Sequence, residues 1–266
     1  MELRTGEYVP IRAMTHEQRV RWEADGYLKL PGVLSGDELK AVQAAAKKAE
    51  RAWIMDTHRP GTRSERLSQI QGPIEYDDHL LELLFHPKVF PIVRETLGSD
   101  ATMIDNDLFI TPPGAKAHVE WHHDVGMVGA YHPRSVLMVK VFFLLSEVDD
   151  RAGGTAMIPG SHKFPEDWVH PDVDDPKAMP GAVTMTGSPG DAYLFNGRIY
   201  HAATNNESDK PRRVLIYNYG HLWMRVWPGY EPSERLLRAA EDSGDPIRRQ
   251  VLGLAHPYGG GIIDEP

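Results

Sequence analysis

Apolar positions recur at three- and four-residue spacing mainly in the first third of the chain. Behind Ser35 and Glu38, a capping-box pair, Leu39, Val42, Ala45, Ala46 and Ala49 share one helical face, which predicts a helix reaching Trp53. Thr15 with Gln18 predicts a shorter helix ending at Asp25. There Asp25-Gly26 turns the chain into a short strand, Tyr27-Leu28-Lys29-Leu30, bounded by Pro31-Gly32. Helical character returns from Leu80 to Leu97, broken at Pro87 and Pro91 and stopped by Gly98. Between these segments, Asp56 to Glu75 is polar and arginine-rich with no clean period. That predicts a long loop, either a lid or binding loop or a plain surface excursion.

After Gly98 the pattern changes to short β-branched and aromatic runs. Ala101–Ile110, Ser135–Leu145, Ala182–Met185, Ala192–Phe195 and Val214–Tyr219 read as strands. Turns rich in Gly, Pro and Asp separate them and no long helix alternates with them. An antiparallel barrel or sandwich is therefore expected rather than a parallel βαβ sheet. A last helix begins at Glu234 and runs to Ala240. No repeat, low-complexity tract or linker is visible. The expectation is one domain, mainly β with flanking helices: a helical part over about residues 1–98, a β core over about 99–230, and a C-terminal helix and tail over about 231–266.

Composition narrows the chemistry. The 266 residues carry a formal charge of −9, with 29 Lys and Arg against 38 Asp and Glu, and no long basic run. That argues against a nucleic-acid binder. Cysteine is absent, which removes disulfides, thiolate metal sites and cysteine nucleophiles, so a metal would have to sit on His and carboxylate. No run approaches the roughly 18 apolar residues of a membrane span, and the N-terminus leads into no signal-like apolar region. No membrane partner is expected, and a cytoplasmic location is.

The densest polar cluster is Trp121-His122-His123-Asp124. In an extended segment His122 and Asp124 project to one side and His123 to the other, so an imidazole and a carboxylate can converge on one small ion. The plain alternative is a solvated turn with a histidine packed beside Trp121. A third ligand is available in His201, which follows the strand Ala192–Phe195 and its turn. Two histidines and one aspartate leave open positions on an octahedral metal, a facial triad suited to ferrous iron, whereas zinc is disfavoured. Eleven residues beyond His201 stands Arg212, followed by Arg213. A cation entering the core side of such a strand has to meet an anion or stay exposed.

These segments, in this order, resemble the phytanoyl-CoA dioxygenase family of Fe(II)- and 2-oxoglutarate-dependent oxygenases. The matching pieces are Trp121-His122-x-Asp124, the run from Glu147 through Gly153-Gly154 to Pro159-Gly160-Ser161-His162, Gly190-Asp191, and His201 with Arg212. The N-terminal Asp25-Gly26-Tyr27 through Leu30-Pro31-Gly32 fits as well, so the resemblance covers about residues 15–250. It implies a cupin-like jelly roll, or double-stranded β-helix. Iron would sit on His122, Asp124 and His201, with Arg212 rather than Arg213 on the distal carboxylate of 2-oxoglutarate. It also implies use of O₂, hydroxylation of an unactivated C–H bond of a small metabolite, and release of succinate and CO₂. Because Asp124 is present, an oxygenase fits better than a halogenase, while desaturation, epoxidation and ring closure stay open.

Other candidates surround this set. Lys140, inside an apolar run, either extends its charge to solvent or faces the barrel and meets an acid group; as a candidate cofactor-binding residue it would meet the carboxylate of co-substrate or substrate. Asn106 on the preceding strand and Trp121 are candidate co-substrate contacts, although Trp121 also reads as packing. Arg63, Trp223, Arg225 and Trp227 are candidate substrate contacts, with burial of the barrel lip as the plain alternative for the tryptophans. His162 reads as structural, and Asn205, Asn206 and Ser208 as turn formers. Two further readings stay open at this point: a metal-binding jelly roll of another kind, such as a cupin-like isomerase or sugar-binding module, and an interaction domain. Oligomeric state is expected to be monomer or small homo-oligomer.

Overall fold

Helix α1 (His16–Asp25) begins where the sequence places it. The Thr15 hydroxyl accepts from the Gln18 amide, and the Gln18 side chain reciprocates on the Thr15 amide. It ends at Gly26, whose φ of 80° a side chain would resist. The computed structural model describes residues 11–55, 61–64, 67–116, 119–124, 136–165, 168–224 and 232–254. Strand β1 (Tyr27–Leu30) follows, then α2 (Gly36–Met55), which runs two residues past the expected Trp53. Helix α2 buries Val42, Ala45, Ala46 and Ala49, the face read from the sequence, and its small alanines let the backbone lie close to the sheet.

The segment expected as a long loop is partly ordered as a hairpin. Strands β2 (Gly61–Arg63) and β3 (Ser68–Gln71) pair antiparallel, and β3 pairs with β4 (Ala101–Thr111). The signal is weak because β3 buries one large apolar residue, Ile70, among polar neighbours. Helices α3 (Asp78–Glu82) and α4 (Phe90–Leu97) come between. Pro91 lies in the first turn of α4, where it starts that helix rather than breaking one.

Strands β5 (Val139–Leu144), β6 (Thr155–Met157), β7 (Val183–Thr184), β8 (Ala192–Asn196), β9 (His201–Ala203) and β10 (Arg212–His221) complete two antiparallel sheets. The large sheet has the order β1-β8-β5-β10-β4-β3-β2 and the small one β7-β6-β9. β5 is shorter than the expected Ser135–Leu145; its pairing begins at Val139, and residue 135 lies outside the described residues. Helices α5 (Glu234–Asp242) and α6 (Pro246–Val251) close the described chain.

The period-two alternation of the central strands decides what each face touches. Val139, Val141, Phe143, Leu215, Tyr217 and Tyr219 face the helices. The Tyr217 and Tyr219 hydroxyls donate to the carbonyls of Leu80 and Leu84, each at 2.8 Å, and so peg the α3 region to the sheet. On the opposite face Phe142, Leu144, Val214 and Ile216 pack against Met157, Met185 and Ile199 beneath the small sheet. Two facing antiparallel sheets with helices on one outer face form the expected jelly roll.

Gly190-Asp191 proves structural. The Asp191 carboxylate accepts from the amides of Gly32 (2.9 Å) and Ser188 (3.2 Å) and pairs with Lys29 at 3.3 Å. Gly190 has φ 97°, and a Cβ there would lie 2.1 Å from the Leu34 carbonyl oxygen. Gly190→Ala is expected to cost roughly 2 kcal/mol or more, from left-handed backbone strain plus the clash. Denaturant unfolding that matches the wild type within about 0.5 kcal/mol would contradict this close approach.

Candidate metal centre and its cavities

Backbone pairing brings the distant ligand candidates together. His122 and His201 form an antiparallel bridge, each amide donating to the other's carbonyl at 3.0 and 2.9 Å. The Asp124 amide donates to Gly197 at 2.9 Å. His122 Nε2 lies 3.7 Å from Asp124 Oδ1, and His201 Nε2 lies 3.6 Å from Asp124 Oδ2. All three ligand atoms fall within 4.8 Å of one another. His123 projects the other way, its ring edge-on to Tyr200 at 5.1 Å.

Proton positions suit a cation. His122 Nδ1 contacts the Glu120 carbonyl at 2.8 Å and His201 Nδ1 the Ile199 carbonyl at 2.9 Å. A carbonyl only accepts, so each Nδ1 carries a hydrogen, which leaves each Nε2 as the ring atom turned inward to ligate. Burial lowers the His201 pKa to about 3 against the opposing pull of Asp124, so this ring is neutral at neutral pH. Burial alone would raise the Asp124 carboxyl. The Lys140 ammonium, 3.1 Å from Oδ1, and the two imidazoles outweigh it and hold the group well below the usual carboxylate range. Asp124 Oδ2 is buried without a hydrogen-bond partner among the described residues. Two imidazoles with Nε2 turned toward a carboxylate that has an unsatisfied oxygen are a donor set that fits a divalent cation.

Two adjoining cavities meet at this cluster. The smaller, about 120 Å³, is lined by His122, His201, Lys140, Thr155, Phe109 and Arg212. Arg212 is the inward member of the arginine pair. Its Nη2 donates to Thr155 Oγ1 at 3.3 Å, its Nε has no partner, and no carboxylate among the described residues lies within 4 Å. Burial lowers its pKa to about 10, which leaves it charged at neutral pH. Arg213 points outward to Glu50 at 3.5 Å. The larger cavity, about 590 Å³, is lined by Asp124, Trp121, Lys140, Gln69, Asp107 and Asn218.

The remaining sequence candidates sort clearly. Lys140 faces the barrel, but the acid group it meets is the protein's own Asp124 rather than a co-substrate carboxylate, and Trp121 lines the larger cavity. Asn106 does not face either cavity. Period-two alternation turns Asp105, Asp107 and Phe109 inward and Asn106 toward the helices, where its Oδ1 accepts from the Ile74 amide at 3.4 Å. Trp223 is 57% exposed and stacks on His221 at 5.6 Å instead of lining a cavity, because its turn follows the end of β10. Arg63 lies on β2, but its side chain, like all of Arg225 and Trp227, is outside the described residues.

Pro159-Gly160-Ser161-His162 supports the site from outside. The Ser161 hydroxyl accepts from the Tyr200 amide next to His201, the Gly160 amide donates to Asp25, and the His162 ring covers Gly26. Asn206 is a turn former, its Nδ2 donating to the carbonyls of Thr111, Pro112 and Lys210. Sequence reasoning missed Thr155, Gln69, Asp105, Asp107 and Asn218. The signal for Asp105 and Asp107 was present, as two acids at alternate positions of an apolar strand.

Such a site, two imidazoles and a carboxylate between the sheets of a jelly roll with a buried arginine nearby, defines the class of non-haem iron oxygenases with open metal positions. The phytanoyl-CoA dioxygenase (PhyH) family description matches residues 22–214, and the chain belongs to that family. The Fe(II)- and 2-oxoglutarate-dependent dioxygenase class comes with it, and its cofactors are Fe(II), 2-oxoglutarate and O₂. Among curated proteins it is similar to a probable alpha-ketoglutarate-dependent hypophosphite dioxygenase of Stutzerimonas stutzeri, 25% identical over 92% of this chain and 93% of that protein. Among solved structures it resembles the alpha-ketoglutarate-dependent carbocyclase SnoK from nogalamycin biosynthesis (TM-score 0.66, 21% identity, 88% of this chain and 94% of that one). It also resembles HygX from Streptomyces hygroscopicus, solved with nickel, 2-oxoglutarate and hygromycin B (TM-score 0.64, 16% identity, 80% and 90% covered). At these identities the two structures establish a shared fold. Among the described residues, no helix is long and apolar enough to cross a membrane.

Proposed function

We propose that the protein hydroxylates an unactivated C–H bond of a small organic molecule, with His122, Asp124 and His201 as iron ligands and Arg212 as the anchor of 2-oxoglutarate. One observation carries this reading: His122 and His201 of the ligand cluster line the same small cavity as the buried Arg212 guanidinium, which has no carboxylate partner among the described residues. Bound Fe(II), with 2-oxoglutarate and O₂, supplies the oxidant, and succinate and CO₂ leave as by-products.

The chain's own residues supply position and exclusion. Arg212 with Thr155 holds the distal carboxylate by charge-assisted hydrogen bonds, which sets the direction from which the co-substrate reaches the triad. Lys140 steadies Asp124. Phe109, Phe142 and Ile216 line the co-substrate cavity with apolar surface and limit water there. The larger adjoining cavity, lined by His122 and Asp124, receives the substrate. Asp124 fills the third protein position, which favours oxygenation over halogenation.

Anaerobic addition of Fe(II) and 2-oxoglutarate to the full chain is expected to give the weak visible charge-transfer band of a ferrous chelate; its absence at saturating iron would defeat the reading. Substrate screening should couple succinate release to product mass. A product heavier by one oxygen atom from a substrate without a C=C bond scores hydroxylation; from an alkene it has to be distinguished from an epoxide. One lighter by two hydrogens scores ring closure or desaturation, the second outcome to test given the likeness to a carbocyclase.

A further inference from the structure

We propose that Asp105, Asp107, Asn218 and Gln69 form a substrate subsite that binds a protonated amine. The inference rests on the oxygenase reading only for naming the occupant a substrate. Asp105, Asp107 and Asn218 are 1%, 3% and 1% exposed, on the inner face of the large sheet. β4 and β10 place Asp105 directly opposite Asn218, whose Nδ2 donates to Asp105 Oδ2 at 3.2 Å. Gln69 Nε2 donates to Asp107 Oδ1 at 3.0 Å. Asp107, Asn218 and Gln69 line the larger cavity beside Trp121 and the triad.

The unmet valences identify the ligand. Asp105 Oδ1 and Asn218 Oδ1 are buried with no hydrogen-bond partner among the described residues. Asp105 also shares a side-chain hydrogen bond with Asp107, but Asn218 Oδ1, which lines the cavity, can only accept, so its missing partner must donate. No Lys or Arg among the described residues lies within 4 Å of either aspartate. Lys140, on β5 across Asn218, is committed to Asp124 at 3.1 Å. Neither aspartate anchors a helix or turn, so a buried acid pair here costs stability without a structural return. Burial and the neighbouring Asp105 charge push the Asp107 carboxyl well up. Exposed Glu120 lines the same cavity and adds to its negative character. A primary ammonium brings several donors and the charge that this wall lacks, whereas a hydroxyl brings one donor and no charge.

The test is calorimetric titration of the full chain, without iron or 2-oxoglutarate, with cyclohexylammonium, cyclohexanol and cyclohexanecarboxylate, three probes of nearly one shape. The ammonium is expected to bind at least about tenfold tighter than the alcohol, the scale of one charge-assisted hydrogen bond. In the Asp105→Asn/Asp107→Asn variant the ratio should fall to within about twofold. Equal affinities, preference for the alcohol, preference for the carboxylate (Lys140 then governing the cavity) or no detectable binding of any probe would overturn the proposal. If the double variant fails to fold, the comparison of the three probes on the wild type decides. The ferrous chelate band is measured separately, so this subsite and the oxygenase reading can fail independently.

Discussion

Asp124→Ala is expected to abolish the ferrous 2-oxoglutarate chelate band and to lower succinate release by at least about a thousandfold. Loss of groups that merely orient metal ligands typically costs ten- to a hundredfold, and this substitution removes a ligand together with the site's negative charge. It has a second consequence. Lys140, buried and 3.1 Å from Asp124, is left without its counter-charge. Stranding one partner of a buried pair costs about 3–5 kcal/mol, so the variant should also unfold more readily without metal. The two effects separate in a double-mutant cycle. Adding Lys140→Met should restore much of the lost stability, because an apolar side chain replaces the stranded cation, but should restore neither the band nor turnover. Recovery of both would make Asp124 a structural partner of Lys140 rather than a ligand. Persistence of the band in Asp124→Ala would remove it from the metal site altogether.

The residues that meet at this centre were legible because strand periodicity and spacing survive in the sequence. His122 and Asp124 share a face across His123; alternation lets only one of the two arginines face the cavity, the family resemblance picks Arg212, and Arg212 does line it while Arg213 meets Glu50. α1 with its reciprocal cap and the alanine face of α2 were legible for a similar reason, since local hydrogen bonding and one-sided burial leave short-range patterns. The hairpin β2–β3 was not. Its strands are three and four residues long, and their place is set by pairing with β4, a partner about forty residues away for which no local pattern exists. Asn106 failed for want of phase. β4 is buried on both faces along nearly its whole length, so hydrophobicity gives no alternation to read, and only the register with β10 reveals that Asp105 and Asp107 point inward. Thr155 was hidden likewise, because its contact with Arg212 joins the two sheets across the sandwich.

Arg212→Met should raise the KM for 2-oxoglutarate by roughly a hundred- to a thousandfold and leave iron affinity within a few-fold. Among the described residues the guanidinium has Nε without a partner and one 3.3 Å bond, to Thr155, so it has donors to spare for a carboxylate. Two charge-assisted hydrogen bonds at about 1.5–3 kcal/mol each account for that range. Arg212→Lys should recover only part of the loss, since an ammonium cannot reproduce the planar two-point grip. A structural role makes the opposite forecast for stability. An arginine that held the two sheets together would destabilise the protein when removed, whereas a buried cation without a counter-ion is a cost the folded chain carries for its ligand. Arg212→Met without co-substrate is therefore expected to unfold at the wild-type temperature or above it, and to gain less stability than the wild type when 2-oxoglutarate is added. Lower intrinsic stability together with an unchanged KM for 2-oxoglutarate would assign Arg212 to the fold and leave the small cavity without its anion-binding group.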